Sequence, residues 1–176
     1  FEIKADLLSE KTLKFLETVP EGRFQFEIGV QSTHDATLKA IGREHNWEKL
    51  ADNVERLLAN DNIHLHLDLI AGLPHEGLQE FIKSFNDVYG LQPHMLQLGF
   101  LKVLHGTVMQ SQAQEHGLLY MSEPPYEVVQ TKYMAYEELR FLKVLEDVFE
   151  NTYNTGKFKH VLAYLIKANG GTAFDF

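Results

Sequence analysis

The sequence contains no cysteine. That absence excludes disulfides and thiolate ligands within these residues, those of an iron–sulfur cluster included, and it removes redox chemistry as a guide to compartment. Cations are also scarce: 16 Lys and Arg stand against 25 Asp and Glu, for a net charge of -9. No basic stripe appears, so nucleic acid is not expected as a partner, because phosphate binding draws on clustered Lys and Arg that release counterions. No apolar run approaches the roughly 20 residues of a membrane helix, and no signal-peptide pattern is present. A soluble, cytoplasmic chain without a membrane partner is expected. It opens at Phe1 rather than Met, with FEIKAD already reading as a strand end, and reads as a fragment.

With 44% hydrophobic residues, the 176-residue chain can bury one core of ordinary domain size. Four β-rich runs, Phe1–Ile3, Gln25–Val30, His64–Ile70 and Met95–Leu101, alternate with amphipathic stretches at Lys11–Val19, Trp47–Ala59 and Leu78–Tyr89. Strands separated by helices of that length cannot be hairpins, so a parallel sheet of about four strands with helical crossovers is predicted, in a partial barrel or an open sheet. The fold class is α/β. Beyond Pro93 the pattern predicts a helix at Val108–His116, a rigid break at Ser122–Tyr126 (SEPPY), a long helix over Glu127–Phe149 and another over Lys157–Lys167.

Ligands of parallel α/β sheets sit at the carboxyl ends of the strands. There the sequence places Glu2, Gln31 followed by Ser32, and Asp68 within the apolar LDLIAGLP, while Arg43 closes the helix after the second strand. Ser32 or Thr33 suits capping of that helix. One amide, one guanidinium and two carboxylates suit a small ligand with hydroxyls, a carboxylate and an ammonium group. His64 and His66 share a strand face at ligand-like spacing, but no third ligand is near in sequence and no metal site is assigned.

FEIKADLL, FEIGVQSTHDATLKAIGREH, DLIAGLP and LQLGFLKVLHGT, in this order and spacing, resemble the second half of a radical S-adenosylmethionine (SAM) barrel. The subgroup most similar contains oxygen-independent coproporphyrinogen III oxidase and the cobalamin-binding Fe–S oxidoreductases, among them the anaerobic magnesium-protoporphyrin IX monomethyl ester oxidative cyclase. The resemblance covers roughly residues 1–109 and lacks the family's CxxxCxxC loop; residues 110–176 would be a helical C-terminal extension. It implies that the parent enzyme binds SAM and a [4Fe-4S] cluster, with cobalamin a further candidate, and generates a 5′-deoxyadenosyl radical for oxidoreductase or cyclase chemistry on a small-molecule substrate. The fragment alone would hold no cofactor and be inactive, its partner being the missing N-terminal half of the barrel.

Carried over residue by residue, the resemblance implies SAM contacts from Glu2, Gln31, Arg43 and Asp68. Arg43 would face the methionine carboxylate and Gln31 and Asp68 the ribose. Leu98, Gly99 and Phe100 would lie beside the adenine through their backbone, and His105 would stand on the substrate side. Two other readings are a cofactor-free α/β barrel lyase or isomerase and a non-enzymatic interaction module. The first calls for a strand-end lysine or a phosphate-binding glycine loop, and neither is clear. The second calls for a large exposed apolar patch and no polar convergence at the strand ends.

Overall fold

A computed structural model describes all 176 residues. Three parallel strands, β1 (Gln25–Gln31), β2 (His64–Ala71) and β3 (Met95–Phe100), form a sheet in sequence order. Leading into them are α1 (Glu10–Leu16) before β1, α2 (Asp35–Ala40) and α3 (Trp47–Leu58) between β1 and β2, and α4 (Leu78–Gly90) between β2 and β3. The expected first strand, Phe1–Ile3, is reduced to one parallel bridge, Glu2 with Glu27, in which Ile3 N–H donates to Glu27 and Glu27 N–H to Phe1. The sheet therefore has three full strands and the start of a fourth.

Side chains of a strand alternate between its faces. Phe26, Ile28 and Val30 of β1, Leu65, Leu67 and Leu69 of β2, and Leu96 and Leu98 of β3 are at most 6% exposed. They form one core with Leu50, Val54 and Leu57 of α3 and Phe81, Phe85 and Val88 of α4. The intervening positions Glu27, Gly29, His66, Asp68, Ile70, Gln97 and Gly99 are half-buried or exposed. Helices thus cover one face of the sheet, and the other is polar and open. Leu98 belongs to the covered face.

After β3 come α5 (Val108–Ser111), the antiparallel pair β4 (Leu119–Tyr120) and β5 (Val128–Gln130), α6 (Tyr136–Thr152) and α7 (Lys159–Asn169). The single long helix expected from Glu127 is corrected: its first residues are β5, and the helix starts at Tyr136. Chain beyond β3 supplies the reason. Val128 N–H donates to Leu101 and Val103 N–H to Tyr126, a pairing between segments about 25 residues apart that no local pattern announces, and Val128 and Val129 are β-branched residues suited to it. Likewise Val108–His116 is helical only over α5. The edge of β3 is closed by Asn154, whose side-chain carbonyl accepts from Leu96 N–H at 3.1 Å while its amide donates to Leu96 O at 3.0 Å. No helix is long and apolar enough to cross a membrane.

Candidate functional site

A cavity of about 440 Å3 opens on the polar face and carboxyl edge of the sheet; Glu2, Glu27, Gln31, Asp68, Gln97 and Lys102 supply its polar wall, with Gly99 and Phe100 beside them. Gln31 reaches it by a departure from regular strand geometry. The register of β1 shifts between Gly29 and Gln31, and Gln31 adopts φ 68°, a left-handed conformation that costs a non-glycine residue about 1–3 kcal/mol. Its amide folds back over Gly29: a Cβ built there would lie 2.2 Å from Gln31 Nε2 and 3.2 Å from Arg43 Nη1. Only glycine leaves that space. Gly29→Ala is expected to displace the Gln31 amide while leaving the melting temperature within a few degrees of wild type, since the obstructed atoms are the ends of long side chains. Side-chain amide NMR signals of Gln31, recorded beside a thermal melt, check both halves.

Electrostatically the site is acidic. Burial, followed by the fields of Glu27 and Glu2 and against the opposing field of Arg43, pushes the Asp68 carboxyl up to about 6. Its Oδ1 is buried without a hydrogen-bond donor, and so is Oε1 of Gln31. Carboxylates and an amide gathered on one wall suit a ligand bearing hydroxyl or ammonium donors. Arg43 pairs with Glu2 at 3.8 Å and stands at the rim beside Gln31. Since both partners are well exposed, that pair adds little stability, and the guanidinium keeps donors to spare.

Of the residues expected from sequence, Glu2, Gln31, Asp68, Gly99 and Phe100 line this cavity, Arg43 borders it, and Leu98 lies in the core on the opposite face. Sequence reasoning missed Glu27, Gln97 and Lys102. The first two were within reach, because they precede Gly29 and Gly99 by two and so share their face. His105 is not among the lining residues; its ring meets Tyr126 edge-on at 4.9 Å and its Nδ1 accepts from Gln110. His64 and His66 meet edge-to-face at the opposite end of β2, with His94 as third ring beside His64. His94 is already committed to Leu65 N–H and Asp61, and no three His, Asp or Glu side chains are grouped to hold a metal.

Behind the cavity wall lies a polar cluster with no counterpart in the sequence reading. Ser32 does not cap α2 as its N-cap, which is His34; its Oγ accepts from His34 N–H and donates to Glu76 Oε1. Ser84 of α4 accepts from Thr33 N–H and donates to the same oxygen. Glu76 is fully buried, and burial pushes its carboxyl up to about 7 against the lowering effect of the two serines.

The three-stranded parallel sheet, with helices on one face and a carboxylate-lined cavity at its strand ends, is similar to part of the radical SAM fold. Coproporphyrinogen III oxidase HemN from Escherichia coli, whose structure is that of a radical SAM enzyme, superposes with a TM-score of 0.60 over 85% of this chain and 31% of its own, at 18% identity. By sequence the chain is 31% identical over 106 residues to the oxygen-independent coproporphyrinogen-III oxidase-like protein HemZ of Bacillus subtilis, covering 60% of this chain and 21% of that protein. It is 31% identical over 142 residues to the heme chaperone HemW of the same organism, covering 77% and 36%. Its relatives by sequence are thus a coproporphyrinogen oxidase-like protein and a heme chaperone, its fold is similar to that of a radical SAM enzyme, and the chain spans well under half the length of the curated relatives it matches. Residues 114–176 match a family described as a protein of unknown function, DUF4080.

Proposed function

We propose that residues 1–109 form the SAM-binding half of a radical SAM enzyme barrel and that residues 110–176 are an extension packed on its β3 edge. One observation carries the reading: Asp68 and Gln31, each with a buried oxygen that has no donor, line one cavity whose wall also holds Glu2 and Glu27. SAM fits that chemistry. Its ribose hydroxyls and ammonium are donors for a wall of acceptor side chains, its net positive charge suits the acidic lining, and Arg43 at the rim can fork onto its carboxylate. Asp68 and Gln31 would hold the ribose, Glu2 the ammonium, and the backbone of Gly99 and Phe100 the adenine edge. When bound, SAM with its cluster supplies radical hydrogen abstraction; the residues here orient the cofactor and exclude water. The cluster does not fit this chain, which offers no thiolate, so its ligands belong to the other half of the barrel. Cobalamin has no residue assigned to it here. A small-molecule substrate would enter above the strand ends, on the side of Lys102 and His105.

The test uses the full-length polypeptide, reconstituted anaerobically with iron and sulfide. Arg43→Ala and Asp68→Asn each remove a charged contact worth about 1.5–3 kcal/mol, so SAM affinity should fall roughly tenfold to a hundredfold, with neither variant melting below wild type above pH 6. In the wild type, affinity should rise as pH climbs through about 6, where Asp68 ionises, and Asp68→Asn should flatten that rise. Unchanged affinity in both variants overturns the reading. So does SAM binding without reductive cleavage to 5′-deoxyadenosine, which would favour a role like that named for the heme chaperone.

A further inference from the structure

We propose that Glu76 is a positioning residue: through Ser32 it holds the end of β1 in the turn that lays the Gln31 amide over Gly29 and into the cavity. The inference rests on the SAM reading for its functional consequence alone. A left-handed glutamine persists only where its surroundings over-determine it, and the two residues after Gln31 are tied down from α4 and the loop before it, with His34 bonded back onto the first of them. Ser32 donates to Glu76, Thr33 N–H donates to Ser84 Oγ and the Thr33 hydroxyl to Asp87, and His34 N–H donates to Ser32.

Hydroxyl bookkeeping fixes what position 76 must be. Each serine oxygen has spent acceptor capacity on a backbone N–H, so its single proton must go to an acceptor. Both protons converge on Glu76 Oε1. A carboxylate, a carboxylic acid or an amide meets that demand; with an aliphatic side chain the two hydroxyls, 3.3 Å apart, could pair only with each other, and one proton would be left without an acceptor. The second oxygen, Oε2, is buried with no partner. A group held for its charge would have both oxygens satisfied; one held as an acceptor needs only one.

The direct readout is the through-space NMR contact between the Gln31 side-chain amide and the Gly29 α-protons in the isotope-labelled chain. Wild type and Glu76→Gln should show it, and Glu76→Ala and Ser32→Ala should lose it. Ser32→Ala, which removes one hydroxyl, keeps the test open should Glu76→Ala fail to fold. In the full-length protein, SAM affinity should drop about tenfold in Ser32→Ala and stay near wild type in Glu76→Gln. Retention of the contact in Ser32→Ala overturns the inference whatever SAM does, as does its loss in Glu76→Gln. A wild type that shows the contact and binds no SAM overturns the SAM reading and leaves this one to the NMR result.

Discussion

Phe85→Ala is expected to lower the unfolding free energy by about 3–5 kcal/mol. Phe85 is 1% exposed and stands where three segments meet. Its ring lies 5.9 Å from Tyr89 on its own helix, and 5.4 Å, edge-on, from both Phe149 of α6 and Phe174 of the C-terminal tail. Truncation leaves a cavity bounded by aromatic rings that cannot all collapse inward, because Tyr153, stacked on Phe149, is also fixed by its hydroxyl to Pro93 O. At the entropy of a domain this size the loss corresponds to a fall in melting temperature of roughly 10 °C. Urea denaturation followed by circular dichroism measures it, and a loss below about 1 kcal/mol would mean that α6 and the tail do not pack on α4.

Glu76→Gln is expected to stabilise the protein at pH 8 and to remove part of its pH dependence. The folded carboxyl is held near 7 against an ordinary 4.5, so the folded state binds the proton more tightly than the unfolded one. Stability from that difference is complete below pH 4.5, declines as pH rises and is gone above 7, an amplitude of about 3 kcal/mol. Glu80 of α4 adds a repulsive field, Asp87 is paired with Lys83, and His34 turns its ring toward Thr37, so burial dominates. Asp68, also raised, contributes a decline in the same direction below about 6 and keeps it in the variant. The informative quantity is therefore the difference between wild-type and Glu76→Gln melting temperatures, measured from pH 5 to 8. A difference that stays constant across that range would show that Glu76 is ionised throughout.

Much of this architecture was legible from alternation alone. HLHLDLI and MLQLGF each carry a strict two-residue period, and the face they bury is the one the helices cover. The convergence of Glu2, Gln31 and Asp68 followed once the strands were known to be parallel. What stayed hidden depends on long-range geometry. Glu76 lies in a Pro-His-Glu-Gly loop that reads as exposed, and only the docking of α4 buries it. The left-handed turn at Gln31 has no glycine to announce it; the glycine sits two residues earlier, where it makes room for the amide. β5 was read as helix because its partner, Leu101–Val103, lies far back in the sequence.

The side-chain amide of Asn154 has a further consequence. With one donor and one acceptor set against Leu96, it imitates a peptide unit and stands where the next strand's backbone would begin. Together with the pairing of Tyr126 and Val128 to the chain beyond β3, it gives the sheet a terminated margin. On the other margin, the backbone groups of Glu2 point away from β1 by the geometry of a parallel bridge. Growth of this sheet is therefore unidirectional: any strand that joins it docks beside Phe1–Ile3, and the two margins cannot exchange roles in a mispaired or swapped assembly.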